Sequence, residues 1–245
     1  MSTSRLAAWG VHLYTAAGAV VALLALDAVA AESYARAFWW MTVAFILDCT
    51  DGTLARRAHV KTVLPHFDGA KLDDIVDYLN YVLVPVALAL QADLLPSGTA
   101  GVLVAALPLL ASAYGFCNAS AKTPDHFFTG FPSYWNVVVF YLFALRAPIW
   151  FNTATLVFLS AAVFVPIRYL YPSRSDGVGL QMYVFGVIWG GLVFWLLFQF
   201  PTPSRTLAIV SLLFPAYYVG QSLLVHFTTP PSPQPGDAVR EHAGR

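Results

Sequence analysis

Apolar residues dominate eight stretches of the chain, at about 8–27, 34–50, 74–92, 99–118, 133–150, 152–170, 180–199 and 205–226, with short polar breaks between them. A helix rises about 1.5 Å per residue, so roughly 20 apolar residues cross the hydrocarbon core of a bilayer. The pattern predicts an all-α, polytopic membrane helical bundle with about eight transmembrane helices. The first stretch reads as a retained span, because no small-residue cleavage site is followed by a soluble domain. After Phe227 the chain turns polar and proline-rich (TTPPSPQPGDAVREHAGR), a composition that cannot bury a core. Residues 1–227 are read as a single membrane-embedded domain, and 228–245 as a disordered cytoplasmic tail.

Composition agrees with that picture. Of 245 residues, 58% are hydrophobic and only 11% charged, too few charges for a water-facing shell. Thirteen basic and thirteen acidic residues cancel, so no global field attracts nucleic acid and only the placement of charges carries information. With the N-terminus in the cytoplasm, ten Lys and Arg fall on the cytoplasmic side and only Arg36, Arg146 and Arg205 fall outside. This positive-inside bias predicts an even number of spans with both termini cytoplasmic. Cys49 and Cys117 have neither disulfide nor zinc spacing and are expected to be packing residues; the six histidines form no ligand pattern either.

The chemistry is concentrated between residues 48 and 77, where DCTDGTLARRAHVKTVLPHFDGAKLDDIVD holds six of the thirteen acids. Ionisable groups near membrane depth usually face a bundle interior or an aqueous cavity. At 100° per residue, Asp48, Asp51, Gly52 and Ala55 share one narrow helical face with Arg56 at its rim, and Asp73 and Asp77 share another. Two helix ends thus aim four carboxylates into one space. Such a cluster repels itself unless neutralised, and its hard oxygens suit Mg²⁺ or Mn²⁺, which commonly bridge to phosphate. Gly52, Ala55 and Gly69 are small enough for a ligand or a second backbone to approach, and the planar fork of Arg56 suits phosphate. Asp68 and Asp74 read as surface or supporting residues, although Asp74 sits within about 60° of Asp77 on the helical wheel.

Together these residues spell Asp48-x2-Asp51-Gly52-x2-Ala55-Arg56, then twelve residues, then Gly69-x3-Asp73-x3-Asp77. This resembles the signature of the CDP-alcohol phosphatidyltransferase family. Most of that family has eight residues between the Arg and the second Gly; twelve is similar to a bacterial branch whose acceptor is choline. The resemblance covers most of residues 10–225. It implies Asp48, Asp51 and Asp73 as ligands of a divalent metal (Mn²⁺ or Mg²⁺) and Asp77 as the general base for the acceptor's hydroxyl. It implies Gly52, Ala55, Arg56 and Gly69 as the lining for the CDP moiety. Implied with them are CDP-diacylglycerol and choline as substrates, a homodimer, and a place in the bacterial cytoplasmic membrane with the active site facing the cytoplasm.

A quaternary ammonium has no N–H to donate and is held by aromatic faces, which makes Tyr134 and Trp135 candidates for choline, although interfacial anchoring explains such residues equally well. Serine or inositol as acceptor would keep the same chemistry. LDDIVD is also a DDxxD string of the kind membrane prenyltransferases use, but the second acidic cluster such enzymes need is missing from the sequence. A transporter would place its acids at mid-depth between repeats, and neither is visible.

Overall fold

The structure is a computed structural model and describes residues 3–118, 127–170 and 180–228. Eleven helices occur among them: α1 (Thr3–Ala30), α2 (Tyr34–Arg57), α3 (Val60–Val63), α4 (Gly69–Asp77), α5 (Val84–Gln91), α6 (Thr99–Cys117), α7 (Trp135–Ala144), α8 (Ile149–Ala162), α9 (Leu180–Phe198), α10 (Arg205–Ser211) and α11 (Leu213–Thr228). Each of the eight apolar stretches holds a helix. Four are long and apolar enough to cross a membrane: α1, α6, α9 and the α10–α11 unit, Arg205–Thr228. α2 has the length but carries Arg36, Asp48, Asp51, Arg56 and Arg57, while α7 and α8 are shorter. Of the proline-rich tail, residues 229–245 lie outside the described residues.

A π-helical turn, Tyr78–Leu83, joins α4 to α5, so the helix runs unbroken from Gly69 to Gln91. Pro85 explains the widening. It offers no N–H to the Tyr81 carbonyl four residues back and its ring crowds that carbonyl, a conflict that a local π-turn relieves.

Small residues set the packing around this helix. α1 lays Ala22, Ala25 and Ala28 against Ala37, Phe38 and Met41 of α2 and the Val82–Ala89 segment, with Trp135, Val139, Phe140 and Leu156 completing the core. Small side chains let helix backbones approach closely where lipid supplies no hydrophobic drive. The outward faces stay apolar: Leu180 and Val187 of α9 are 78% and 76% exposed, as a lipid-facing helix requires.

Three local expectations are corrected. The stretch 152–170 is not one helix: α8 ends at Ala162, and Arg168–Leu170 forms a strand, β2, antiparallel to β1 (Phe127–Thr129) with Phe128 opposite Tyr169. Pro166 stops the helix by lacking an N–H and disfavouring helical backbone before it. Gly130, at φ 86°, then passes against the Val163 carbonyl where no Cβ fits. The break between the fifth and sixth stretches lies at Leu145–Pro148 rather than at Asn152, which sits buried in α8 and donates to the carbonyls of Leu94 (2.8 Å) and Ala147 (3.1 Å). Cys49 and Cys117 are exposed, not packed, because their helix faces point away from the core.

Candidate active site

α2 continues as a helix to Arg57, as the shared face of Asp48, Asp51, Gly52 and Ala55 requires. α4 begins at Gly69, where the Asp68 side chain caps it by accepting from the Lys71 N–H at 3.0 Å. The twelve residues between Arg56 and Gly69 hold a left-handed His59 (φ 48°) and the single turn α3. Val60 and Leu64 bury against Ala8 of α1, with Ala55 packed on them. The longer spacing thus folds as an extra turn docked on α1, and the two acidic faces still meet.

Asp48, Asp73 and Asp77 each offer a carboxylate oxygen within 4.8 Å of the others, all half-buried. Asp51 is buried beside them, and the four acids line one small cavity with Thr15, Gly18, Asn80 and Tyr81. Carboxylates this close repel one another unless a cation or a shared proton neutralises them, and their hard oxygens fit a divalent cation such as Mg²⁺ or Mn²⁺. Two hydroxyls fix the acids in place: Thr15 Oγ1 donates to Asp51 Oδ2 at 2.8 Å, and Tyr81 OH donates to Asp48 Oδ2 at 2.8 Å. Donors of this kind orient a ligating carboxylate and tune its basicity.

The small residues have different reasons for being small. A Cβ on Gly52 would meet nothing closer than Arg56 Nη1 at 3.5 Å, so protein packing leaves that face of α2 open. A Cβ on Gly69 would lie 2.7 Å from His12 Cε1, so Gly69 is where α4 closes on the buried His12 of α1. Arg56 is exposed and folds back along α2, its Nη2 donating to Thr53 Oγ1 at 2.8 Å. It lies over the open Gly52 face with its charge available to an anion.

Elsewhere, Trp135 is fully buried, donating from Nε1 to Ser112 Oγ at 2.8 Å and packing edge-on to Phe131 with ring centroids 5.2 Å apart. Its ring is part of the core, whereas Tyr134, just before α7, is half-buried. Sequence reasoning did not single out Thr15, Gly18, Asn80 or Tyr81. Asn80 and Tyr81 follow Asp77 by three and four residues and so continue its helical face, a signal that was present. Thr15 and Gly18 are ordinary small residues of an apolar span, and only the packing of α1 onto α2 and α4 makes them part of the site.

Comparison with known proteins gives this arrangement its context. Residues 12–167 match the CDP-alcohol phosphatidyltransferase family, a stretch running from His12 beside Gly69 through the whole acidic cavity. The chain is 40% identical over 228 residues to the phosphatidylcholine synthase of Legionella pneumophila, an alignment covering 90% of this chain and 88% of that protein. It is 35% identical to the phosphatidylcholine synthase of Rhizobium johnstonii, covering 91% and 93%, and 41% identical to that of Pseudomonas aeruginosa, covering 68% and 70%. The chain belongs to the CDP-alcohol phosphatidyltransferase family of enzymes.

Proposed function

We propose that this protein is a phosphatidylcholine synthase, moving the phosphatidyl group of CDP-diacylglycerol to choline and releasing CMP. One observation carries the chemistry: the carboxylates of Asp48, Asp73 and Asp77 converge to within 4.8 Å beside the open face of Gly52. The acceptor is argued from the relatives, which share the phosphatidylcholine synthase name at 35–41% identity.

In this reading the choline oxygen attacks the phosphorus that bears the diacylglycerol, and the bond from that phosphorus to the oxygen of CMP breaks. Asp77 takes the hydroxyl proton as attack proceeds, as a positioned carboxylate can. A divalent cation held by Asp48, Asp51 and Asp73, Mn²⁺ or Mg²⁺, supplies neutralisation of the pyrophosphate charge when bound. Gly52 lets the CDP moiety lie against α2, and the half-buried Ala55 and Gly69, each packed on one side against α3 or His12, border it, while Arg56 swings from Thr53 to a phosphate oxygen. Thr15 and Tyr81 hold the Asp51 and Asp48 carboxylates at fixed angles. Tyr134 offers the aromatic face for the quaternary ammonium.

Acyl tails remain in lipid while the nucleotide reaches the carboxylates from water, which suits a membrane–water interface; the cytoplasmic face of a bacterial inner membrane is the reading that the Lys and Arg distribution and the family resemblance support. Eight spans with both termini in the cytoplasm and a homodimeric assembly complete the proposal, supported by the Lys and Arg distribution and the family resemblance respectively. The test is phosphatidylcholine formation. Expression in a bacterium that makes none, fed labelled choline, should yield labelled phosphatidylcholine in the membrane. Absence of that product in a host where the protein is folded and CDP-diacylglycerol is present rejects the acceptor assignment.

A further inference from the structure

Among the described residues, Asn80 is the one side chain of the acidic cavity with a fully buried polar atom that has no hydrogen-bond partner. It is 3% exposed and lies on the π-helical turn, one helical turn beyond Asp77. Both of its amide hydrogens are committed: Nδ2 donates to the Gly18 carbonyl at 3.0 Å and to the Val76 carbonyl at 2.9 Å. This fixes the sense of the amide, since a flip would set Oδ1 against two carbonyl oxygens. The approach is possible because Gly18 lacks a Cβ, which would clash with Val76 Cγ1 at 2.5 Å. Oδ1 is then buried with no hydrogen-bond partner among the described residues.

The cavity wall offers that oxygen nothing. Its side-chain donors are Thr15, Tyr81 and Asn80 itself, and the two hydroxyls already donate to Asp51 and Asp48. The remaining polar groups of the wall are the carboxylates of Asp48, Asp51, Asp73 and Asp77, which when ionised only accept. A buried amide oxygen without a donor is costly, and in native proteins such an atom meets an ordered water or an ion. The acceptor alcohol does not meet the need, because choline carries a single O–H and its proton goes to Asp77. A cation does: amide carbonyls are ordinary hard-oxygen partners of divalent ions, and they add a ligand without adding to the charge of a site already rich in it.

We infer that Asn80 Oδ1 supplies a neutral oxygen to the divalent cation of this acidic cavity, beside Asp48, Asp51 and Asp73, oriented by the clamp of its amide nitrogen onto α1. The inference rests on the metal reading of the acidic cavity, and the experiment separates the two. Binding of Mn²⁺ alone, without nucleotide, is measured on the purified full-length protein in detergent from the disappearance of the free-ion paramagnetic resonance signal. Native protein binds. Asn80→Ala is expected to weaken Mn²⁺ binding at least about tenfold, the scale seen when groups around a metal site are removed.

Asn80→Ser keeps a hydroxyl for the Val76 carbonyl four residues back but is too short to present an oxygen to the ion as well; it is expected to lose the same affinity with a milder loss of thermal stability. Val76→Ala loosens the same α1–α4 contact without touching the oxygen, and is expected to lower thermal stability while leaving Mn²⁺ affinity within twofold of native. If the Asn80 variants bind Mn²⁺ like native protein, or Val76→Ala weakens binding as much as they do, Asn80 is only a helix clamp and the inference falls. If native protein does not bind Mn²⁺, the metal reading itself falls and takes this inference with it.

Discussion

Substituting Gly52 by alanine separates a contact made by substrate from one made by protein. The new methyl meets only the mobile end of Arg56 at 3.5 Å, so the fold has room for it. Gly52 lies within α2, where alanine is favoured over glycine by about 0.5–1 kcal/mol. The variant should therefore unfold in detergent at or slightly above the native temperature. If the CDP moiety rests on that bare stretch of backbone, the methyl displaces it by about an ångström, and misplacement on that scale costs about 100-fold in rate. The assay is CMP release with CDP-diacylglycerol and choline, run beside a thermal melt and Mn²⁺ binding. The expected result is unchanged or raised stability, unchanged Mn²⁺ affinity and turnover down about 100-fold. Full turnover would refute substrate contact at Gly52, and a lowered melting temperature would refute the reading of its open face.

Gly69→Ala should behave in the opposite way: its methyl would lie 2.7 Å from the buried His12 ring, so overpacking of about 1–3 kcal/mol should appear as a lower melting temperature. Asp77→Asn should reduce turnover by roughly 10²–10⁴-fold, the usual worth of a general base, while CDP-diacylglycerol binding persists; near-native turnover would remove the base assignment. Tyr81→Phe deletes only the 2.8 Å hydrogen bond to Asp48 and should weaken Mn²⁺ binding roughly 10–100-fold with the helical circular dichroism unchanged. Asn152→Ala strips the carbonyls of Leu94 and Ala147 of their donor and should cost about 1–3 kcal/mol of stability, while activity per folded molecule stays native.

Much of the site was legible because its chemistry is carried by charged residues in an otherwise apolar chain. Helical spacing alone put Asp48, Asp51 and Gly52 on one face and Asp73 and Asp77 on another, and the structure brings Asp48, Asp73 and Asp77 together. What α1 contributes was not legible. Thr15 and Gly18 are indistinguishable from the small residues of any spanning helix until packing sets them against Asp51 and Val76.

The ribbon of β1 and β2 was hidden for a similar reason. Residues 163–170 are mostly apolar and read as the end of a span, and Pro166 alone signals the change. Trp135 shows the limit of reasoning from residue type: an aromatic near a membrane end can anchor, cage a cation or fill a core, and only its 0% exposure and its bond to Ser112 show that it fills the core.

The most direct test of the central claim is the acceptor dependence of CMP release by the purified protein. It is given CDP-diacylglycerol and Mn²⁺, with choline, serine, inositol or glycerol 3-phosphate in separate reactions, each repeated with excess chelator. The account predicts release with choline alone, abolished by the chelator and restored by added Mn²⁺. Release with a different alcohol would contradict the choline assignment while keeping the carboxylate mechanism, and release that survives the chelator would contradict the metal role of Asp48, Asp51 and Asp73.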